Sequence, residues 1–316
     1  MVAGTGIHIQ SDRKSRQQLT ALIKQKAKEL GLHSCGITQA KAASEEVRHK
    51  FEQWIAAGCN GEMSYMARNL EKRMNPALLV EGCKSIIVVA QNYYTEKASP
   101  QLSQYAQGSD YHKIVKDKLH QLLEYINTLH PAHGRAFCDS APVLERYLAT
   151  QAGIGWCGRN RQLIIPGAGT HFFLGELFID IELEYDTPCT EQHCGNCRAC
   201  IDACPGKALS EEGIDARRCL SYLTIEYRGE LPQETGEIAG VGIYGCDRCQ
   251  SVCPHNKFAY QHNEPLLDAN EELLSMGIED WKSLTEEQFD NLFKYSAVQR
   301  CGYNLLMRNI KNILDK

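Results

Sequence analysis

The sequence contains no hydrophobic segment long enough to cross a lipid bilayer. Its longest apolar runs, such as Ser85 to Ala90, fall far short of the roughly 20 residues that a membrane-spanning helix requires. The first residues, Met1 to Arg16, are polar and basic and lack the apolar core of a secretion signal. These absences predict a soluble cytoplasmic protein that does not associate with a membrane.

The chain also lacks an excess of basic residues. Its formal net charge is −5 over 316 residues, which excludes a general basic coat for nucleic acid. A local basic surface is not excluded, because binding depends on where the charges lie, and an ordinary solvated face is the equal alternative. The residues concerned are Arg217, Arg218, Arg228, Arg248 and Lys257.

Cysteine, in contrast, is abundant. The chain has 15 cysteines, of which nine fall between Cys189 and Cys253. Because a reducing cytosol disfavours disulfides, this clustering predicts metal or redox chemistry. The other six are predicted to be small buried hydrophobic residues. They are Cys35, Cys59, Cys83, Cys138, Cys157 and Cys301.

Two cysteine motifs have the spacing of iron–sulfur ligands. The run from Cys194 to Pro205 reads C-x2-C-x2-C-x3-C-P, and the fourth cysteine of this pattern ligates the other cluster in two-cluster ferredoxins. A second motif, from Cys246 to Pro254, is one cysteine short, and Cys219 is the only other cysteine between the two runs. The predicted ligands are Cys194, Cys197, Cys200 and Cys253 for cluster 1, and Cys204, Cys219, Cys246 and Cys249 for cluster 2.

Structural zinc sites are the alternative, because paired C-x2-C spacings also bind zinc. Zinc explains neither the triple C-x2-C-x2-C spacing nor the two Cys-Pro endings, so we interpret the motifs as two 4Fe–4S clusters. Cys189 is left over and is predicted to be structural. Because such clusters carry electrons without performing group chemistry, an enzyme built on them needs a second cofactor or a bound substrate.

The residues around these motifs show mixed periodicity. Helices are predicted over Arg16 to Leu30, Ala43 to Ala57 and Tyr111 to His130, and a helix start at Ser140 to Pro142. Strands are predicted over Lys84 to Tyr94, Leu163 to Ile165 and His171 to Leu183. A capping box from Thr285 to Gln288 and an amphipathic stretch from Leu305 to Leu314 indicate helices alone at the end. We therefore predict an α/β (α+β layered) domain over 1–185, a ferredoxin-like two-cluster domain over 186–260 and a short C-terminal helical segment over 261–316.

Several longer motifs resemble a known family. They are Asp110 to Lys113 (DYHK), Cys138 to Arg146 (CDSAPVLER), Ala152 to Asn160 (AGIGWCGRN), Phe172 to Glu176 (FFLGE), Arg218 to Thr224 (RCLSYLT) and Ile243 to Asp247 (IYGCD). On these motifs the chain resembles the epoxyqueuosine reductases, from about Gly31 to Asn309. The resemblance implies a cobalamin-binding first domain and an enzyme related to the reductive dehalogenases.

The resemblance further implies a reaction and its residues. The enzyme would reduce epoxyqueuosine to queuosine at the wobble position of tRNA, with electrons passing from the two clusters to cobalamin. Asp139 would be the proton donor, which suits a reaction that releases an alkoxide. Without the family, Asp139 reads more simply as the N-cap of the helix at Pro142. The implied cobalamin contacts are Arg73, Asp139, Asn160, Leu163, Leu174 and Ser221.

Ordinary roles would also explain several of these residues: a surface salt bridge for Arg73, and core packing for Leu163 and Leu174. Arg159 stands where the family usually has Lys, which leaves a cationic role but not one that needs a deprotonatable amine. The implied partners are the anticodon stem-loop of tRNA and an external electron donor, and we expect a monomer. Two alternatives are a corrinoid iron–sulfur reductase of a small molecule, and a non-catalytic electron carrier, for which the α/β domain would be superfluous.

Overall fold

The structure, a computed structural model, describes residues 5–315, with the backbone alone for residues 5–12. Four strands form an entirely antiparallel sheet in the order β1-β2-β6-β3, and two more form a small ribbon, β4-β5. The strands are β1 (Ser34–Gln39), β2 (Ser85–Asn92), β3 (Gly134–Phe137), β4 (Trp156–Cys157), β5 (Leu163–Ile164) and β6 (Phe172–Ile179).

The helices are α1 (Thr5–Glu29), α2 (Glu45–Ala56), α3 (Leu70–Met74), α4 (Tyr111–Leu129), α5 (Glu145–Gln151), α6 (Ala199–Asp202), α7 (Leu220–Ile225), α8 (Thr235–Ala239), α9 (Arg248–Ser251), α10 (Glu271–Ser275), α11 (Ile278–Lys282), α12 (Glu286–Leu292) and α13 (Tyr303–Leu314). Helices α1, α4 and α5 contact the four-stranded sheet, whereas several of the later helices pack against one another. In residues 5–315, no helix combines the length and apolar character needed to span a membrane.

Both faces of the sheet are buried. Alternate residues of β2 enter different hydrophobic clusters: Ile87 and Val89 pack with α1 and α4, whereas Ile86 and Val88 pack with α5. All eight residues of β2 are therefore buried, which is why this strand reads as a continuous apolar run. The mixed α/β architecture predicted from the sequence is confirmed.

Most of the predicted elements are present, and the exceptions have local causes. The helices around residues 16–30, 43–57 and 111–130 are confirmed as α1, α2 and α4, although α1 begins earlier, at Thr5. The predicted helix start at Ser140 to Pro142 is wrong, because α5 begins only at Glu145. The short strands β1, β3 and β4 were not predicted. In β1 the cause is Gly36, because a glycine weakens the strand pattern in the sequence. The fold needs a glycine there, since a Cβ would lie 2.1 Å from the carbonyl oxygen of Ala152.

The C-terminal helices share a core with the preceding segments. Trp281, Phe289 and Phe293 are fully buried in a cluster that also contains Leu102 and Tyr244. The capping box at Thr285 is confirmed: its side chain accepts from the backbone of Gln288, whose side chain returns a bond to the Thr285 N–H. The boundaries proposed at residues 185 and 260 stay predictions.

Candidate active site

The four cysteines predicted for cluster 1 meet at one pocket. Cys194, Cys197, Cys200 and Cys253 line it together with Arg159, Asn160 and His255. Burial raises the pKa of the Cys200 thiol, and the nearby thiols of Cys253, Cys194 and Cys197 raise it further. Thiols grouped in this way repel one another once ionised, so the group calls for a positively charged iron centre.

Arg159 sets a permanent positive charge at this pocket. Its Nη1 donates to the carbonyl oxygen of Cys197 at 2.7 Å, and its Nη2 lies 3.6 Å from Glu211 Oε2. The guanidinium is therefore oriented by both the backbone and a carboxylate. This is the cationic role that an arginine, but not a neutral amine, can fill.

The four cysteines predicted for cluster 2 form an adjoining group. Burial is the largest cause of a raised pKa at the Cys249 thiol. The nearby thiols of Cys246, Cys219 and Cys204 raise this pKa further, as does Cys200 of the first group. Burial, followed by the nearby charges of Cys219, Asp247 and Cys204, raises the pKa of Cys246 to about 11. No group of three or more His, Cys, Asp or Glu side chains within the described residues is placed to hold a single metal ion. The assignment of ligands to the two clusters stays a prediction.

The remaining cysteines divide into two kinds. Cys83, Cys138 and Cys301 are buried, as predicted for small hydrophobic residues. Cys35, Cys59 and Cys157 are only half-buried, although Cys35 does pack against the hydrophobic core. Cys189 is half-buried as well, and its backbone N–H donates to the carbonyl of Thr150 at 2.8 Å.

Asp139 lies just beyond β3, on the turn that leads to α5. Its backbone is left-handed, with φ 50°, a conformation that costs energy for a non-glycine residue. Oδ2 accepts from the Tyr111 hydroxyl at 2.7 Å, while His112 Nε2 lies 3.8 Å from the same oxygen. The side chain is 62% exposed, so this carboxyl is held and yet accessible.

Asp139 is not a helix N-cap, so that simpler interpretation is wrong. The N-cap of α5 is Leu144, which makes no side-chain capping bond. Instead, the Asp139 N–H donates to Glu145 Oε1, so the first residue of the helix reaches back to the turn. The aromatic ring of Tyr111 stacks on Phe173 at a centroid distance of 4.1 Å, which fixes the hydroxyl that binds Asp139.

Two further glutamates near Asp139 were not predicted as site residues. Burial and the Asp139 charge raise the pKa of Glu145 to about 8. Glu176, in β6, is fully buried, and burial together with the charges of Glu145 and Asp139 raises its pKa well above the ordinary range. The sequence signal was present in both cases, because each glutamate ends or lies within a motif, CDSAPVLER and FFLGE, quoted for the resemblance.

Arg73 and Asn160 are buried with unsatisfied donors. Arg73 is 7% exposed, and its Nη2 donates to the Tyr65 carbonyl at 3.1 Å, whereas its Nε has no partner within the described part of the chain. A surface salt bridge for Arg73 is therefore wrong. Asn160 is 3% exposed and its Oδ1 accepts from Gln162 N, while its Nδ2 finds no partner in the described residues.

Comparison with known proteins identifies the family. The model for a 4Fe-4S double cluster binding domain matches residues 193–256, and the model for epoxyqueuosine reductase QueG, DUF1730, matches residues 73–140. An epoxyqueuosine reductase of Cellulophaga algicola is 42% identical, over 94% of this chain and 98% of the relative. The chain belongs to the epoxyqueuosine reductase family. The resemblance predicted from its motifs is confirmed. The cysteine motifs match a 4Fe-4S double cluster domain, so the alternative of structural zinc sites is wrong.

Solved structures of epoxyqueuosine reductases have the same fold. One contains an epoxyqueuosine-modified tRNA-Tyr stem loop and matches with a TM-score of 0.85 at 28% identity, over 94% of this chain and 81% of that one. The enzyme from Streptococcus thermophilus matches with a TM-score of 0.82 at 30% identity, over 93% and 80%. A B12-dependent reductive dehalogenase, 17% identical with a TM-score of 0.50 over 97% and 39%, shares the fold.

Several residues of this epoxyqueuosine reductase fit a cobalamin. The unpartnered Arg73 Nε and Asn160 Nδ2 are buried donors that need acceptors, and the amide side chains of a corrin provide them. Leu163 and Leu174 are buried in the apolar cluster on the α5 side of the sheet. Ser221 is half-buried in α7, two residues after Cys219.

Proposed function

We propose that this epoxyqueuosine reductase converts epoxyqueuosine to queuosine at the wobble position of tRNA, with Asp139 as the proton donor. The observation that carries the proposal is the turn at Asp139, inside a chain that belongs to the family over nearly its whole length. There, the Tyr111 hydroxyl holds the Asp139 carboxyl and the Glu145 side chain holds the Asp139 backbone N–H, while the carboxyl stays open to a substrate. A positioned acid of this kind is what epoxide opening requires.

Arg73, Asn160, Leu163, Leu174 and Ser221 would hold the cobalamin, the first two through hydrogen bonds and the leucines through apolar contact. When bound and reduced through the two 4Fe–4S clusters, cobalamin supplies a low-valent cobalt able to cleave a C–O bond reductively. Asp139 gives its proton to the oxygen as the C–O bond breaks. The Tyr111 O–H then stabilises the carboxylate that remains.

Recognition of tRNA is the second part of the proposal. A relative of the same fold was solved with an epoxyqueuosine-modified stem loop. All five basic residues singled out in the cysteine-rich segment are exposed here, namely Arg217, Arg218, Arg228, Arg248 and Lys257. Because RNA carries one negative charge per nucleotide, such residues would contact phosphates and make binding sensitive to salt.

The Asp139 turn is also the part that we propose moves. A structure of the Bacillus subtilis epoxyqueuosine reductase has an aspartate catalytic loop swung out of its active site. The left-handed backbone at Asp139 stores strain that such a movement would release.

We further propose that the enzyme acts as a cytoplasmic monomer and receives electrons from an external donor.

The deciding experiment is mass spectrometry of nucleosides from tRNA that accumulates epoxyqueuosine. The tRNA would be incubated without oxygen with the reconstituted protein, cobalamin and a strong reductant, and queuosine should form only when cobalamin is present. Iron and cobalt bound without conversion would favour the small-molecule reductase. Iron without cobalt would favour the electron carrier.

A further inference from the structure

Glu176 is a buried carboxyl that the proposed function has not used. It lies on β6, between Val88 of β2 and Phe137 of β3, with which it is in register. Its side chain is fully buried, and neither carboxyl oxygen has a hydrogen-bond partner among the residues that the structure describes. Side chains alternate along a strand, so Glu176 shares a face with the buried Leu174 and Phe178.

The carboxyl of Glu176 belongs to a group of three. The charges of Glu145 and Asp139 both act on Glu176, and Glu145 Oε1 accepts the Asp139 N–H. Besides burial, the negative charges of all three carboxyls raise the pKa of the Cys138 thiol. The basic groups that face it include Arg146, which acts on Glu145, Lys116, which acts on Cys138, and His112, whose Nε2 lies 3.8 Å from Asp139 Oδ2.

A carboxyl in these surroundings holds its proton at neutral pH. An ionised carboxylate in an apolar interior without a counter-ion is strongly unfavourable, and two adjacent carboxyls disfavour its ionisation further. Burial and the charges of Glu145 and Asp139 raise the pKa of Glu176, and burial and the Asp139 charge raise that of Glu145. The group therefore holds protons on Glu176 and Glu145, next to Asp139, whose side chain is 62% exposed.

The reaction needs such a proton. Converting an epoxide to an alkene breaks two C–O bonds and releases the oxygen as water, which consumes two electrons and two protons. The electrons come from the reduced clusters and cofactor of the proposed function, but Asp139 carries one proton only. Tyr111 is a poor second source, because burial and the Asp139 charge raise the pKa of its hydroxyl far above the ordinary range.

We propose that Glu145 and Glu176 form a proton reserve that reprotonates Asp139 within each turnover. This inference rests on the proposed function and deepens it. Asp139 gives its proton to the oxygen at the first C–O cleavage and becomes a carboxylate. Glu145 passes a proton to it, directly or through one water, and is reprotonated from Glu176. Asp139 then gives the second proton as the second C–O bond breaks and water leaves, and solvent restores Glu176 after product release.

The test is Glu176→Gln in the intact, reconstituted enzyme, with exposed Glu124→Gln as the matched control. We expect a kcat lower by roughly 10- to 100-fold, an unchanged KM for tRNA, and a fall in kcat that begins at lower pH than in the wild type. Infrared spectroscopy of the protein without cobalamin or substrate gives an independent readout. The carbonyl band of a protonated carboxyl should be present in the wild type and the control, and weaker in the variant.

Glu145→Gln provides a second variant, because Glu145 is half-buried and its replacement is easier to accommodate. It should lower kcat with the same change in pH profile. Unchanged kcat in both variants, or a wild type without the infrared band, would overturn the reserve. The reserve would also be overturned if His112→Gln lost activity while both glutamate variants kept it. The imidazole, 3.8 Å from Asp139, would then be the second proton donor. A wild type that produces no queuosine but shows the band would instead count against the proposed function.

Discussion

At the scale of single residues, Asp139 shows how a side chain becomes a catalyst through its neighbours. At an ordinary N-cap, the same carboxyl would accept a backbone N–H and serve the helix. Here the Tyr111 hydroxyl binds the carboxyl, while Glu145, which accepts from the Asp139 N–H, and a left-handed backbone fix the residue just beyond β3. Its proposed function therefore depends on contacts from the helices α4 and α5.

Replacement of Asp139 by Asn should stop turnover without loss of cofactors. The amide keeps the size of the side chain but cannot donate the proton, so we expect kcat to fall by roughly 100- to 10,000-fold. Iron and cobalt content, measured by elemental analysis, should equal those of the wild type. The exposed Asp117→Asn on α4 is the control. Normal turnover in Asp139→Asn would remove the proton-donor assignment.

The raised pKa of Glu145 also predicts a pH dependence of stability. The folded protein holds this proton up to about pH 8, whereas an unfolded chain releases it near the ordinary value of 4.5. The folded state thus binds more protons over this window, so the free energy of unfolding falls as pH rises through it. Glu145→Gln should flatten this fall and be more stable than the wild type at the alkaline end, by about 1 to 3 kcal/mol. Chemical unfolding at several pH values measures it, and parallel curves for the two proteins would contradict it.

At the scale of elements, the contact between β1 and α5 depends on one glycine. Gly36 lies so close to the end of α5 that a Cβ would meet the Ala152 carbonyl oxygen at 2.1 Å. Backbone on both sides prevents simple relief by a side-chain rotation. Since α5 begins with Glu145, this contact also helps to position the Glu145 carboxyl next to Asp139.

Gly36→Ala should therefore destabilise the fold by about 1 to 3 kcal/mol, as overpacking in a core does. The midpoint of chemical unfolding, followed by circular dichroism, measures the change. Gly213→Ala is the matched control, because nothing lies within 4 Å of its added Cβ. Equal midpoints for the two variants would show that β1 and α5 can separate at little cost.

At the scale of the whole molecule, the cysteine motifs are completed by residues far apart in the chain. Cys253 joins the pocket of Cys194, Cys197 and Cys200, and Cys219 joins the group of Cys204, Cys246 and Cys249. Cys219→Ala should remove one cluster and about half of the iron, measured with the visible absorbance of the clusters. Cys189→Ala, outside both groups, should keep both clusters. Full iron content in Cys219→Ala would refute the ligand assignment.

Binding of tRNA should depend on the charges of the whole surface. We expect the affinity for an anticodon stem loop to fall by roughly 10- to 100-fold between about 50 mM and 200 mM salt. A variant with Ala at Arg248 and Lys257 should show a shallower dependence, and Lys311→Ala on α13 should not. Fluorescence anisotropy measures all three. Identical slopes would place the phosphate contacts elsewhere.

The sequence by itself determined the cluster motifs, the main helices, the strand β2 and the family. These rest on local spacing and periodicity, which are written in the order of the residues. Only the tertiary structure decided that Arg73 is buried, that Asp139 is no helix cap, and that Glu176 lies behind it. The physical reason is that burial and electrostatic neighbours set the charge of a side chain. Both arise from contacts between segments that are distant in sequence, and no local pattern contains them.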